Sequence, residues 1–200
     1  MSRSAERQSR LPDRATRWFE RARASLLGEL PCRRGCNRCC IGPFAITVLD
    51  VAELQRGLAA LAPAVREDIL ARARHQAGQI ETDFPRLREA SSGDGARDSE
   101  LDAAVERFAD LPCPALDPDG SCRVYAFRPL TCRTMGIPVE ADGLVEGACE
   151  VQTAIPIVRL CRALREEEER LAEEEAIEIE RARSLRAMPG EEVLSVYGFL

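Results

Sequence analysis

The chain has 200 residues, 45% hydrophobic and 31% charged, with a formal net charge of −6. That length and composition suit one ordinary globular domain with appendages; the acidic balance argues against a general nucleic-acid binder, and no apolar run approaches the roughly 20 residues that span a bilayer. All 28 basic residues are Arg and His75 is the one histidine, which excludes P-loop and Schiff-base lysines, His-dependent triads and HExxH metalloprotease chemistry.

Taken in chain order, residues 1–13 read as a disordered basic tail that lacks the apolar segment of a secretory signal. Asp13-Arg14 opens an expected helix with Trp18, Phe19, Ala22, Leu26 and Leu27 on one face, ended by Gly28 and Pro31. Residues 32–40 form a loop punctuated by Pro31, Gly35 and Gly42. Thr47 with Asp50 has the form of a capping box and starts a helix from about Leu49 to Leu61, with Val51, Leu54, Leu58 and Leu61 inward. Pro63 starts a longer helix past Ile69 and Ile80 to about Thr82, broken at Asp83-Phe84-Pro85.

Residues 91–95, Ser-Ser-Gly-Asp-Gly, make a flexible loop, and Asp98 or Ser99 caps a helix that turns Leu101, Val105 and Phe108 inward. Asp117-Pro118-Asp119-Gly120 is a strong turn, a short helix carries Tyr125, and another starts at Pro129. Ile137-Pro138-Val139 and Leu144-Val145 flank a turn at Ala141-Asp142-Gly143, which predicts a small hairpin. The last long segment, Pro156 to about Leu185, is helical, with Ile157, Leu160, Cys161 and Leu164 on one face and a Glu-rich second half that reads as a solvated surface. The fold class expected is mainly α: helices framing a cysteine-rich, loop-dominated metal site, with at most a small β-hairpin. The metal-binding domain is assigned to residues 14–155, and a charged helix with a tail to residues 156–200.

The chemistry lies in the nine cysteines. With no secretory signal in view, they point to a reducing, cytoplasmic compartment where thiols serve metals rather than structural disulfides. Cys32, Cys36, Cys39 and Cys40 form a compact series, and Cys113, Cys122, Cys132 and Cys149 a looser one. The Cys36-x2-Cys39 spacing lets both thiols reach one metal, whereas the adjacent Cys39 and Cys40 point in different directions. All eight are candidate ligands, Cys32 with the weakest claim. Structural zinc sites usually show two short knuckles, and here only one series is short, so an iron–sulfur cluster of the [4Fe–4S] type is favoured over zinc. Arg33, Arg34, Arg38 and Arg123 flank the cysteines; Arg128 and Arg133, around Cys132, are the favoured cofactor-binding residues, able to offset thiolate charge. The Cys32-x3-Cys36-x2-Cys39 spacing also occurs in the radical-SAM cluster loop, but that barrel needs repeated strands that this chain lacks.

Several short stretches together resemble the YkgJ-type cysteine-cluster proteins, described as zinc- or iron-chelating domains. They are Cys36-Asn37-Arg38-Cys39-Cys40, Cys113-Pro114-Ala115-Leu116, Gly120-Ser121-Cys122-Arg123-Val124-Tyr125 and Arg128-Pro129-Leu130-Thr131-Cys132-Arg133, with Cys149 closing. The resemblance implies a cytoplasmic bacterial protein that binds iron–sulfur or zinc. A flagellin lysine methylase carries a similar cysteine region, so the resemblance also admits a cluster-dependent enzyme, although no glycine-rich cofactor loop or acid–base constellation stands out here. A redox role would require a redox partner protein; neither nucleic acid nor membrane is expected as a partner. Of the remaining candidates, Cys161 reads as a buried free thiol, His75 as a surface residue, and Tyr125 and Trp18 as packing residues.

Overall fold

The computed structural model describes residues 10–26, 35–87, 98–137, 139–141, 144–146, 160–186 and 192–200. The expected tail over residues 1–9, the loop at 91–95, Leu27 to Arg34 and the segment 147–159 lie outside the described residues. The described chain is mainly helical, with two small two-stranded antiparallel sheets, and it divides into two compact units.

The first unit comprises the chain up to Cys39 and Leu130–Glu178. Helix α1 (Leu11–Ser25) has Pro12 in its first turn, where the ring costs no hydrogen bond, and so starts slightly before the expected Asp13. Leu11, Ala15, Trp18 and Ala22 recur at helical spacing and are all buried, against Leu130, Ile137, Leu160, Leu164 and Leu171. Trp18 is fully buried, and its indole N–H donates to the Leu164 carbonyl at 2.8 Å, which satisfies the only polar atom of the side chain.

Leu164 and Leu171 lie on the long Glu-rich helix, Arg162–Arg186. Glu167 and Glu174, also seven residues apart, pair with Arg21 and Arg14 of α1. The reversed order of these pairs sets α1 antiparallel to this stretch. The Arg14–Glu174 pair is bidentate, and the carboxylate holds the guanidinium pKa above its usual range. Part of the expected solvated face is therefore engaged with α1. The same unit carries the expected antiparallel pair, Val139–Ala141 with Leu144–Glu146, in which Ala141 pairs with Leu144.

The second unit comprises Cys40–Pro129 and Ile179–Leu200. Strand β1 (Ala45–Thr47) leads directly into helix α2 (Val48–Ala60). The expected capping box is present: the Thr47 hydroxyl accepts from Asp50 N, and the Asp50 carboxylate accepts from Thr47 N, each at 3.4 Å. Helix α3 (Pro63–Asp83) begins at its proline as expected, and α4 (Asp98–Arg107) follows. Two apolar clusters fill the unit. One joins Ile46, Leu54, Leu58, Ile69, Ala73 and Phe199; the other joins Ala77, Ile80, Leu87, Leu101, Ala104 and Tyr197.

Both clusters include the last residues of the chain, which carried no core signal in the sequence. Glu192–Leu194 pairs antiparallel with β1, Leu194 opposite Ala45, and Ser195 N donates to Phe44 O at 2.8 Å. Gln55 Nε2 donates to Gly198 O at 2.9 Å. A Cβ at Gly198 would stand 2.5 Å from Ile46 Cδ1, so any larger residue there would make the Ile46 side chain shift. Leu194, Val196, Tyr197 and Phe199 are all buried.

Two predictions follow from this packing. Fully burying one large apolar side chain contributes about 1.5–3 kcal/mol, so the four terminal residues together rival the ~5–15 kcal/mol net stability of a domain. Deletion of residues 192–200 is expected to abolish cooperative unfolding of the second unit, read by circular dichroism on heating; an unchanged melt would contradict the packing. Second, the Tyr197 hydroxyl is buried with no hydrogen-bond partner among the described residues, and burial, then the Glu81 charge, push its pKa up to about 12. The folded state thus keeps this proton to higher pH than the unfolded one, so the associated stability is present below ~10 and is lost as pH rises through the folded value. Tyr197→Phe is expected to be neutral or stabilising by ~1 kcal/mol at neutral pH and to flatten the alkaline loss, measured by denaturant unfolding at several pH values.

Candidate metal centre

In the second unit the cysteines sit on two short backbone pairings. Residues 40–42 run antiparallel to residues 111–113: Gly42 N donates to Leu111 O at 2.8 Å and Cys113 N to Cys40 O at 2.7 Å, around a bridge between Ile41 and Pro112. Pro112 is tolerated because the N–H it lacks would point away from the partner strand at this position. The register of these two bonds sets Cys40 across from Cys113. Gly42 has φ +88°, and a Cβ there would lie 2.9 Å from Ala109 O, so this bend requires glycine.

The second pairing is a hairpin. Leu116 bridges Cys122; Asp117 N donates to Ser121 O at 2.8 Å and Arg123 N to Ala115 O at 3.0 Å. The expected turn at Asp117–Gly120 closes it, with Gly120 at φ +83°. The Asp119 carboxylate accepts from the Ser121 hydroxyl and backbone N–H, and these bonds hold its pKa below the usual carboxylate value. Cys113 and Cys122 both pack at the edge of the Ile46–Phe199 cluster.

Helix α3 grips this loop at successive turns. Gln76 Nε2 donates to Pro112 O at 2.8 Å and Arg72 Nη1 to Leu116 O at 2.9 Å. Arg72 Nη2 also donates to Asp68 at 2.7 Å, and Asp68 in turn pairs with Arg123. Arg123 Nε reaches Asp117 at 2.5 Å. The Arg123 bond is the main cause holding the Asp68 carboxyl below its usual range, against a smaller desolvation and with help from the Arg72 charge. Expected as a flank for thiolates, Arg123 gives its guanidinium to two carboxylates.

In the first unit, Cys36 follows Gly35, whose φ is +87°, and Cys39 lies in a 3-10 turn, Arg38–Cys40. Three residues per turn separate successive side chains by roughly 120°, so Cys39 and Cys40 diverge. Cys132 sits on the short helix Leu130–Thr134 beside Arg133. Arg133 is buried, and its Nη1 donates to the Thr16 hydroxyl at 2.6 Å. In the second unit the Arg128 guanidinium lies 3.9 Å from the centre of the Tyr125 ring. Tyr125 is 56% exposed, a surface platform for Arg128 rather than the packing residue expected.

Cys36, Cys39, Cys40, Cys113, Cys122 and Cys132 are all thiols of intermediate exposure, outside disulfides. Cys161 is an exposed thiol just before its helix, not the buried residue expected, because the helix begins only at Arg162. His75 is exposed on α3. Cys32 and Cys149 lie outside the described residues, as do Arg33 and Arg34. Among the described residues, no group of three or more His, Cys, Asp or Glu side chains is placed to hold a metal ion as it stands. The donors nonetheless suit a soft metal: they are half-exposed thiols, with one pair opposed across a backbone ladder. The gripping residues Asp68, Arg72 and Gln76 went unnoticed in the sequence; their i, i+4, i+8 spacing was the one signal that marks them as a single polar face.

No helix among the described residues is long and apolar enough to cross a membrane. No curated protein and no solved structure matches the chain. A family model does match: CxxCxxCC, "Putative zinc- or iron-chelating domain", over residues 31–150, a span that runs from just before Cys32 to just after Cys149. The chain belongs to the CxxCxxCC family.

Proposed function

We propose that this chain holds an iron–sulfur cluster through thiolates drawn from Cys32, Cys36, Cys39, Cys40, Cys113, Cys122, Cys132 and Cys149, and exchanges electrons with a redox partner protein in the cytoplasm. The observation that carries the reading is the pair of backbone pairings that present Cys40, Cys113 and Cys122. Cys113 and Cys122 lie outside the short knuckle, on a strand pair and a hairpin, and iron–sulfur proteins accept such scattered ligands more readily than structural zinc sites do. A bound cluster would supply one-electron transfer. The thiols' intermediate exposure favours electron exchange over a sealed structural role. Arg128 and Arg133 are proposed to offset the negative charge of the ligated thiolates. Metal chelation agrees with the family; zinc is the competing metal, favoured by the compact Cys36-x2-Cys39 spacing.

Protein purified without oxygen is expected to contain iron and sulfide, to show a broad absorption band near ~400 nm, and to be reduced reversibly. Colourless protein with stoichiometric zinc would overturn the iron–sulfur reading and leave chelation. Cys40→Ser and Cys113→Ser are each expected to weaken metal binding by more than the ~10–100-fold typical of losing a residue that only orients a ligand, whereas Cys161→Ser should leave it unchanged.

Gly42→Ala tests the backbone beneath the site. The substitution forces a side chain into positive φ and against Ala109 O. It is expected to cost about 1–3 kcal/mol of stability and to lower metal occupancy, measured by denaturant unfolding and metal analysis.

A further inference from the structure

We infer that the polar face of α3 formed by Asp68, Arg72 and Gln76 is a positioning device for the ligand loop, setting the separation of Cys113 and Cys122 and hence the metal affinity; this rests on the reading of those two cysteines as ligands. The three residues are four apart, one on each of three successive turns, which spaces them about 6 Å apart along the helix. Each grips a different point of residues 112–123. Gln76 holds the carbonyl of Pro112, immediately before Cys113. Arg72 holds the carbonyl of Leu116, the residue that bridges Cys122. Asp68 pairs with Arg123, immediately after Cys122.

These contacts are poorly explained as stabilisers of the fold. Asp68 is exposed, and ion pairs in water contribute little net stability. Gln76 is buried and makes one hydrogen bond through its nitrogen, but its Oε1 has no partner among the described residues. One bond gained against one buried acceptor left unmade nearly cancels. What the three contacts do achieve is geometric. They tie both cysteine-bearing strands of a short loop to one rigid helix, and metal affinity depends steeply on residues that orient ligands without touching the metal.

The test uses the full chain with Gln76→Met and Arg72→Met, which keep the aliphatic bulk and remove the donors, together with Arg72→Lys, which keeps the charge near Asp68 and part of the donor capacity. The probe is Co²⁺, whose thiolate charge-transfer band reports both affinity and ligand geometry, titrated into the reduced apo protein. Each Met variant is expected to weaken Co²⁺ binding ~10–100-fold and to shift the band, while the thermal melt of the apo protein stays within a few degrees of the parent chain. Arg72→Lys is expected to fall between parent and Arg72→Met. Unchanged affinity and spectrum in both Met variants, with the parent chain binding Co²⁺, would overturn the inference alone. A parent chain that binds no Co²⁺ and takes up no cluster when reconstituted with iron and sulfide would overturn the chelation reading and this inference with it. Should a Met variant lower the apo melt by as much as it weakens binding, with Arg72→Lys failing to recover either, the contacts are structural and the inference falls.

Discussion

Two backbone hydrogen bonds, Gly42 N to Leu111 O and Cys113 N to Cys40 O, fix the candidate site more than any side-chain contact. They join segments some seventy residues apart in the chain, and their register sets Cys40 across from Cys113. A slip of one residue would turn every side chain of the pair to the opposite face. The flanking residues guard against that slip: Gly42 bends where nothing larger fits under Ala109, and Pro112 occupies a place in the bridge that needs no N–H. Gln76 holds the Pro112 carbonyl from the other side. The main chain thus sets where Cys40 and Cys113 stand in the chain's pairing.

What could be read from the sequence was what is encoded locally. The Thr47–Asp50 capping box, the Pro63 start of α3, the pairing of Val139–Ala141 with Leu144–Glu146 and the Asp117–Gly120 turn all depend on residues within a few positions of one another. The pairing of Ala45–Thr47 with Glu192–Leu194 depends on residues nearly 150 positions apart, and neither three-residue strand has enough alternation to announce itself. The same distance hid the role of the chain's end. Val193 to Phe199 is short, ends in an aromatic-glycine-aromatic stretch, and follows a charged helix, so its burial in two clusters has no local signature. At the site, the cysteine spacing told which residue types matter. It did not tell which neighbours hold them, because Arg72 and Gln76 act through carbonyls, and a carbonyl gives no signal in a sequence.

Tyr125 and Cys161 show how a correct local expectation can fail at the next level. An aromatic beside a cysteine is usually a packing residue, but here Tyr125 lies in a one-turn 3-10 segment whose buried side is already taken by Val124, and its ring serves Arg128 at the surface. Phe127, two residues on, takes the inward place: a Cβ on Gly57 would come within 2.7 Å of Phe127 Cβ, so α2 approaches this turn as closely as a glycine allows. The Glu-rich helix errs in the other direction. Its acids read as solvent-facing, and Glu169, Glu173, Glu178 and Glu180 are exposed, but the seven-residue spacing that places Leu164 and Leu171 against α1 also brings Glu167 and Glu174 opposite Arg21 and Arg14. Exposed ion pairs contribute at most ~1 kcal/mol each, so the leucines hold the helices together and the charges choose their orientation.

Stability and ligation are therefore separated along the chain. The clusters around Trp18, around Ile80 and around Ile46 are built from aliphatic and aromatic side chains, and the cysteines that touch them, Cys113 and Cys122, do so from the edge. A zinc finger differs in kind, since it has too little apolar core to fold until its metal arrives. This chain has three apolar clusters among its described residues, so apolar burial can drive its folding without a metal. The loop that carries Cys113 and Cys122 is held by the helix and strands to which its backbone is tied.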